Sequence, residues 1–335
     1  MKLALTTLMA TTVLAGAVSA QELNLYSSRH YETDERLYSD FTDATGITIN
    51  RIEGNADELI ARMEAEGVNS PADVFLTVDT SRLQRAADAG LLQPVESELL
   101  EARIPSNLQD DENQWFGFSQ RARIIFYNPE IVDTPPATYA DLADPAYQGL
   151  VCIRSSTNTY NQTLLASIIE HEGEEAATDW AEGVVANFAR APQGGDTDQL
   201  RGLVSGECGI AVSNSYYFAR AVRREVEGVS EALDTIGWVF PNQEGRGAHM
   251  NLSGGGVAAH APNRDAAVAF LEYLASDQAQ EYFSAGNDEF PVVEGVPVAE
   301  SVAYLGTFEA DEVDLSDVAD NIPTAQEIFN TVGWP

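Results

Sequence analysis

ELNLY (22–26), ITINRI (47–52) and DVFL (73–76) are short apolar runs, interleaved with DERLYSDFTDAT (34–45) and NADELIARMEAEG (55–67) and followed by SRLQRAADA (81–89). The intervening segments carry helical spacing: Leu37, Phe41 and Ala44 fall on one face, as do Leu59, Ile60 and Met63. Gly90 supplies a stop. Apolar strands alternating with amphipathic helices predict a parallel sheet covered by helices.

Further along, Trp115–Tyr127 reads as one extended run, too long for a strand of a small sheet, with Arg121 and Arg123 alternating among apolar residues. A second α/β series follows, with strands at Leu150–Arg154 and Cys208–Ser213 and helices at Asn161–Glu170, Glu174–Asn187, Asp196–Ser205 and Tyr217–Glu227. Gly247–Val257 is again extended and precedes a helix at Arg264–Ala275. The economical architecture is α/β and two-lobed, with a ligand cleft between lobes at the carboxyl ends of strands. The expected division is 21–117 plus 252–290 for one lobe and 122–245 plus 291–335 for the other, with 118–121 and 246–251 as hinge crossings. The acidic run Asp311–Asp320 reads as a solvated face.

Charge narrows the chemistry. The 335 residues hold 53 Asp+Glu against 18 Lys+Arg, a net charge of −35, which argues against nucleic acid and anionic membrane surfaces as partners. Lys2 is the only lysine, so P-loop, Schiff-base and Ser-x-x-Lys chemistries are excluded. Residues 1–20 read as a secretory signal: Lys2, an apolar stretch from Leu3 to Leu14, then Val18-Ser19-Ala20 before Gln21. Too few consecutive apolar residues occur there or later to predict a membrane span. The expected location is therefore the periplasm, without membrane insertion. Export makes Cys152 and Cys208 candidates for one disulfide, two buried free thiols being the alternative.

The unusual chemistry collects at strand ends. Ser27-Ser28-Arg29-His30-Tyr31 follows the first strand, Ser155-Ser156-Thr157-Asn158-Thr159-Tyr160 the Cys152 strand, and Asn214-Ser215-Tyr216-Tyr217 the Cys208 strand. Facing lobes would put His30 and Tyr31 on one wall, and Tyr160, Tyr216 and Tyr217 on the other. Four phenols and an imidazole suit a hard, highly charged cation: a phenol is neutral near pH 7, but a nearby trivalent ion favours the phenolate. Ferric iron fits best, although an aromatic-lined pocket also stacks organic cations. Other constellations fail. His171-Glu172 lacks the second histidine of a zinc motif, no Gly-x-Ser-x-Gly occurs at 202–206, and Asp314, Asp317 and Asp320 lack Ca²⁺-loop spacing. Gly254-Gly255-Gly256 reads as a hinge or close-packing element rather than a phosphate cradle, and His249 and His260 read as structural.

LNLYSSRHYETD (23–34), VCIRSSTNTYNQT (151–163), NFARAPQGGDTDQ (187–199) and CGIAVSNSYYFAR (208–220) resemble the periplasmic ferric-iron-binding proteins of ABC importers, the Fbp/Fut type, with a type II periplasmic-binding-protein fold. The resemblance implies a non-enzymatic receptor, expected to be a monomer, that captures Fe3+ and delivers it to an ABC transporter permease in the inner membrane. It implies Tyr216 and Tyr217 as iron ligands, Tyr31 and Tyr160 completing the set, and His30 at a position that ligates in some members. With both Tyr31 and Tyr160 present, a synergistic anion such as carbonate is optional. Ser155, Ser156 and Asn214 match positions near that anion, and Arg154 or Arg220 would balance phenolate charge. The alternative is an importer receptor for a small organic solute such as a polyamine or phosphonate.

Overall fold

The computed structural model describes residues 21–29 and 31–335. The signal-peptide assignment to residues 1–20 and the ligand assignment to His30 lie outside the described residues. The N-terminal βα series follows the sequence pattern closely: β1 (Glu22–Ser27), α1 (Asp34–Thr45), β2 (Thr48–Glu53), α2 (Ala56–Glu66), β3 (Val74–Thr77) and α3 (Thr80–Asp88). Local chemistry sets these boundaries. Asp34 and Glu35 occupy the first turn of α1, where the helix dipole favours anions, and Gly46 ends it at φ +73°. The Asn55 side chain caps α2 by accepting from the Asp57 amide.

The chain continues through β4 (Leu92–Gln93), α4 (Glu98–Arg103) and the twelve-residue β5 (Phe116–Tyr127). Next come β6 (Val151–Cys152), α5 (Thr159–Glu172), α6 (Glu174–Ala186), α7 (Asp196–Ser205), β7 (Ile210–Asn214), α8 (Ser215–Arg223) and β8 (Gly237–Val239). The last section contains β9 (Met250–Ala258), α9 (Arg264–Leu274), α10 (Asp277–Asn287), β10 (Phe290–Pro291), α11 (Glu300–Ala303), α12 (Leu315–Asp320) and α13 (Ile322–Val332).

Strand order among the described residues is β2-β1-β3-β9-β5-β7-β6, with β4, β8 and β10 attached at the side. The expectation of a parallel sheet holds for β2-β1-β3 and for β7-β6, while β9 and β5 run antiparallel to their neighbours. Trp115–Tyr127 proves to be mostly one strand, because two different partners share it. Phe116–Ala122 pairs with β9, and Arg123–Tyr127 pairs with β7. The two α/β series are thereby joined through the β5–β9 pair, where Arg121 lies opposite Asn251. A shift of register between Gly117 and Ser119 bends this ladder.

Several features near the site differ from the sequence pattern. The strand expected at Leu150–Arg154 shrinks to Val151–Cys152, because the Arg154 carbonyl accepts from Asn161 Nδ2 and Trp334 Nε1 instead of a ladder partner. Helix α8 begins at Ser215 rather than Tyr217, so both tyrosines lie in its first turn. The run Asp311–Asp320 is a solvated face only in part: Glu312, Asp317 and Asp320 are exposed, but Asp311 is buried against His171, and α12 packs on α3 and α5 with Leu315 and Val318 buried.

Cys152 and Cys208 form a disulfide, with Cα atoms 5.8 Å apart. It fastens the short β6 to the start of β7, the strands from which the chain runs on to Tyr160 and to Tyr216 and Tyr217. By loop entropy such a closure is worth about 4 kcal/mol.

Gly254, Gly255 and Gly256 sit inside β9 between β3 and β5. A Cβ on Gly255 would stand 2.8 Å from the Phe75 carbonyl oxygen, and one on Gly256 would collide with that of Gln114. Backbone atoms cannot swing aside as side chains do, so the close approach admits only glycine. Gly256→Ala is expected to cost about 1–3 kcal/mol, read as a melting temperature lower by several degrees, whereas Gly245→Ala, with no such neighbour at collision distance, will leave it unchanged.

Candidate metal centre

Three elements deliver the phenols. At the end of β1, Ser28 Oγ donates to Thr77 Oγ1 at 2.9 Å, tying this corner to β3. The Arg29 amide donates to Ser27 Oγ at 3.1 Å, forming a tight polar turn just before the chain reaches Tyr31. Arg29 is buried and pairs with Asp34 at 3.0 Å and Glu289 at 3.4 Å. Its guanidinium carbon lies 5.0 Å from the centre of the Tyr31 ring.

Tyr160 is the second residue of α5. The following Asn161 is buried and fixes the helix start, donating to the Arg154 carbonyl at 2.6 Å and accepting from Arg123 Nη2 at 2.9 Å. Three guanidinium groups surround the Tyr160 ring, those of Arg121 and Arg123 at 5.8 Å and that of Arg154 at 5.5 Å.

Tyr216 and Tyr217 occupy the first turn of α8, with rings stacked at 4.2 Å and Arg220 within 5.3 and 5.7 Å of them. Ser215 Oγ accepts from the Ala122 amide at 3.2 Å, where β5 changes partner from β9 to β7. Asp196 Oδ2 accepts from the Asn214 amide at 2.9 Å and Arg123 Nη1 at 2.7 Å. The helix start is thus locked to the charged face of β5.

Tyr31, Tyr160, Tyr216 and Tyr217 all line one cavity of about 850 Å³, and the Tyr160 and Tyr216 hydroxyls are 3.2 Å apart. Arg82, Arg154 and Arg220 share its wall. Among the described residues, no group of three or more His, Cys, Asp or Glu side chains could hold a metal ion.

Other residues singled out in the sequence are placed differently. Ser156 is buried, its amide donating to the Pro335 carbonyl, and Ser155 Oγ bonds Thr157; neither lines the cavity. Asn214 lies beneath it, accepting from Arg123 Nη1 at 3.1 Å. Sequence reasoning noted Arg121 and Arg123 but gave them no role. Charged residues alternating inside an otherwise apolar strand were the available signal, since a lone arginine is rarely fully buried. Glu289, which accepts from Ser119 Oγ at 2.6 Å and faces both Arg29 and Arg121, carried no sequence signal.

Three of the phenols, those of Tyr31, Tyr216 and Tyr217, are held neutral. Burial raises the Tyr216 hydroxyl well above its ordinary value, the neighbouring Tyr160, Tyr217 and Tyr31 add to this, and Arg121 opposes it. Tyr217 is raised by burial, then by Tyr160 and Asp196. Tyr31 is raised by burial, then by Glu289 and Tyr160, against Arg29 and Arg121. An unfolded tyrosine ionises near 10.0, below these folded values. The sign follows: these groups contribute stability that is intact below about pH 10 and lost as pH rises towards the folded values. Alkaline titration of the metal-free protein, followed by tyrosinate absorbance and circular dichroism together, is expected to show a set of phenols that ionises only as the fold is lost. Ionisation of every phenol near pH 10 with the fold intact would contradict this burial.

Residues 69–309 match the bacterial extracellular solute-binding protein family. Iron uptake protein A1 of Synechocystis sp. is 49% identical over 94% of this chain and 88% of its own length. A solved Trichodesmium FutA (IdiA) in complex with iron and citrate ligands is 49% identical, with a TM-score of 0.90 over 94% of this chain and 100% of that one. The ferric binding protein from Campylobacter jejuni is 40% identical, with a TM-score of 0.87 over 93% and 100%. With the family model matching residues 69–309 and a relative 49% identical over 94% of the chain, the chain belongs to the bacterial extracellular solute-binding protein family.

Proposed function

We propose that the protein captures ferric iron in the interlobe cleft and hands it to the permease of an ABC importer. As a solute-binding protein it works by capture and release rather than catalysis. The observation that carries the reading is the convergence of Tyr31, Tyr160, Tyr216 and Tyr217 on one cavity. Phenolate is a hard oxygen donor matched to a trivalent ion, and phenols kept neutral by burial ionise only when a strong enough cation compensates the charge. The likeness to proteins named for iron uptake and ferric binding supports the same cargo.

Under this reading the four tyrosines are the ligands, with His30 as a further one beside Tyr31. Arg154 and Arg220 on the cavity wall balance phenolate charge and offer a place for an accompanying anion such as carbonate. Ser155, Ser156 and Asn214 stay outside the liganding set. On this reading the lobes comprise 21–117 plus 252–290 and 122–245 plus 291–335, hinged at 118–121 and 246–251; the pairing of Arg121 with Asn251 supports two adjacent crossings. Residues 1–20 direct export to the periplasm, where the protein acts as a monomer and meets its permease at the inner membrane. No helix among the described residues is long and apolar enough to cross a membrane.

Adding ferric citrate to the metal-free protein is expected to produce a visible phenolate-to-iron charge-transfer band. Binding must release phenolic protons, so affinity will rise as pH increases from mildly acidic to neutral. Tyr217→Phe and Tyr160→Phe each remove a hard donor and are expected to weaken iron retention by at least about tenfold. An unchanged band and affinity in both variants would refute the assignment. Thermal stabilisation by polyamines or phosphonates but not by iron would favour an organic solute instead.

A further inference from the structure

Asp79 stands between the end of β3 and the start of α3, and only 1% of it is exposed. One of its oxygens, Oδ1, does ordinary capping work, accepting from the Ser81 amide at 3.0 Å and from the Ser81 hydroxyl. The other, Oδ2, serves a different purpose. It accepts from Thr159 Oγ1 at 2.8 Å and from Asn251 Nδ2 at 2.8 Å. Thr163 Oγ1 lies 3.2 Å away and divides its proton between Asp79 and the Thr159 carbonyl. Thr159 and Thr163 are four residues apart and so share a face of α5, whose second residue is Tyr160. Asn251 belongs to β9, opposite Arg121.

A helix cap needs one oxygen; here the second is spent across the cleft. Every group around Asp79 donates, so an ionised carboxylate satisfies the site, whereas an asparagine would turn its own N–H groups against donors. Burial opposes that charge, but Arg82 nearby and the hydrogen bonds from Ser81, Asn251 and Thr159 outweigh it and hold the carboxyl below its ordinary value.

Resting on the iron-capture reading, we propose that Asp79 is an interlobe clasp and a positioning residue. Its bond to Thr159 holds the first turn of α5, and so the Tyr160 phenol, against the β1–β3 wall that carries Tyr31. Opening the cleft must exchange the Thr159 and Thr163 contacts for water, a net loss for hydrogen bonds to a charged acceptor, so the clasp favours the closed state and slows release of the ion. Its partners across the cleft are the Thr159 and Thr163 hydroxyls, so that contact is lost by movement and not by screening.

The test is the rate at which the charge-transfer band decays when iron-loaded protein is mixed with excess competing chelator. Thr159→Val, isosteric but without the hydroxyl, is expected to release iron about tenfold to a hundredfold faster than wild type. Thr159→Ser, which keeps the donor, will restore the slow rate. Asp79→Asn will accelerate release as well, and the Asp79→Asn, Thr159→Val pair will be no faster than the faster single variant. A wild-type rate in Thr159→Val, a fast rate in Thr159→Ser, or effects that multiply in the double variant would each overturn the clasp. Should Asp79→Asn fail to fold, the Thr159 pair still decides. Absence of the band in wild type would sink the iron reading itself, whereas a wild-type band with unaltered release in Thr159→Val sinks the clasp alone.

Discussion

The site depends on burying three guanidinium groups, those of Arg29, Arg121 and Arg123, directly beneath its phenols. Arg121 and Arg123 are two residues apart on β5 and therefore emerge from the same face of the strand. Removing such a charge from water costs several kcal/mol unless it is paired and hydrogen-bonded. Here Asp196 sits 2.7 Å from Arg123, while Glu289 faces Arg29 and Arg121 at 3.4 and 3.8 Å. These carboxylates come from distant parts of the chain, so solvating the arginines brings together β1, β5, α7 and the segment after α10. The phenols stand on this layer, and Tyr160 contacts two of its members.

The same layer explains why a cation site can tolerate so many arginines. In the metal-free state Tyr31, Tyr216 and Tyr217 are neutral, and the cleft presents the guanidinium groups of Arg82, Arg154 and Arg220 beside the carboxylates of Glu53, Asp57 and Asp79. A trivalent ion alters the balance, because its attraction for phenolate exceeds the cost of displacing phenolic protons. Once the phenolates form, nearby guanidiniums stabilise them. The net charge of −35 thus plays no direct part in selecting the cargo. Charge on the outer surface keeps the protein soluble, and the site sets its own electrostatics.

Much of this was legible in the chain. Three polar strand ends, each leading to tyrosine, were visible because strand ends in open α/β sheets are where ligands meet backbone turns. Apolar periodicity placed α1 and α7 at their observed limits, Asp34–Thr45 and Asp196–Ser205. The start of α8 was misplaced because Ser215 and Tyr216 carry no hydrophobic signal for a helix start; what fixes it is Ser215 Oγ accepting from Ala122, almost a hundred residues away in sequence. Asp311–Asp320 looked solvated because acidic residues outnumber apolar ones, yet Leu315 and Val318 suffice to seat α12 on α3 and α5. Glu289 and Asp79 were invisible for a common reason. Each is one acid among 53, distinguished only by partners distant in sequence.

The β5–β9 pair links these features physically. β5 presents Arg121 and Arg123 to the phenols, and β9 presents Asn251 to Asp79. Further along β9, Gly254 to Gly256 let the backbones of β3 and β5 approach too closely for any side chain between them. A strand so confined cannot shear along its neighbours without collision. On the proposed lobe division, movement of one lobe against the other is thereby pushed towards the near end of the pair, where Ala122 faces Met250 and the ladder passes from β9 to β7. Bending there displaces α5 and α8 together, because the disulfide between Cys152 and Cys208 joins the strands that lead to them. Tyr160, Tyr216 and Tyr217 therefore travel as one wall, and Tyr31, anchored through Arg29 to Asp34 and Glu289, stays with the other.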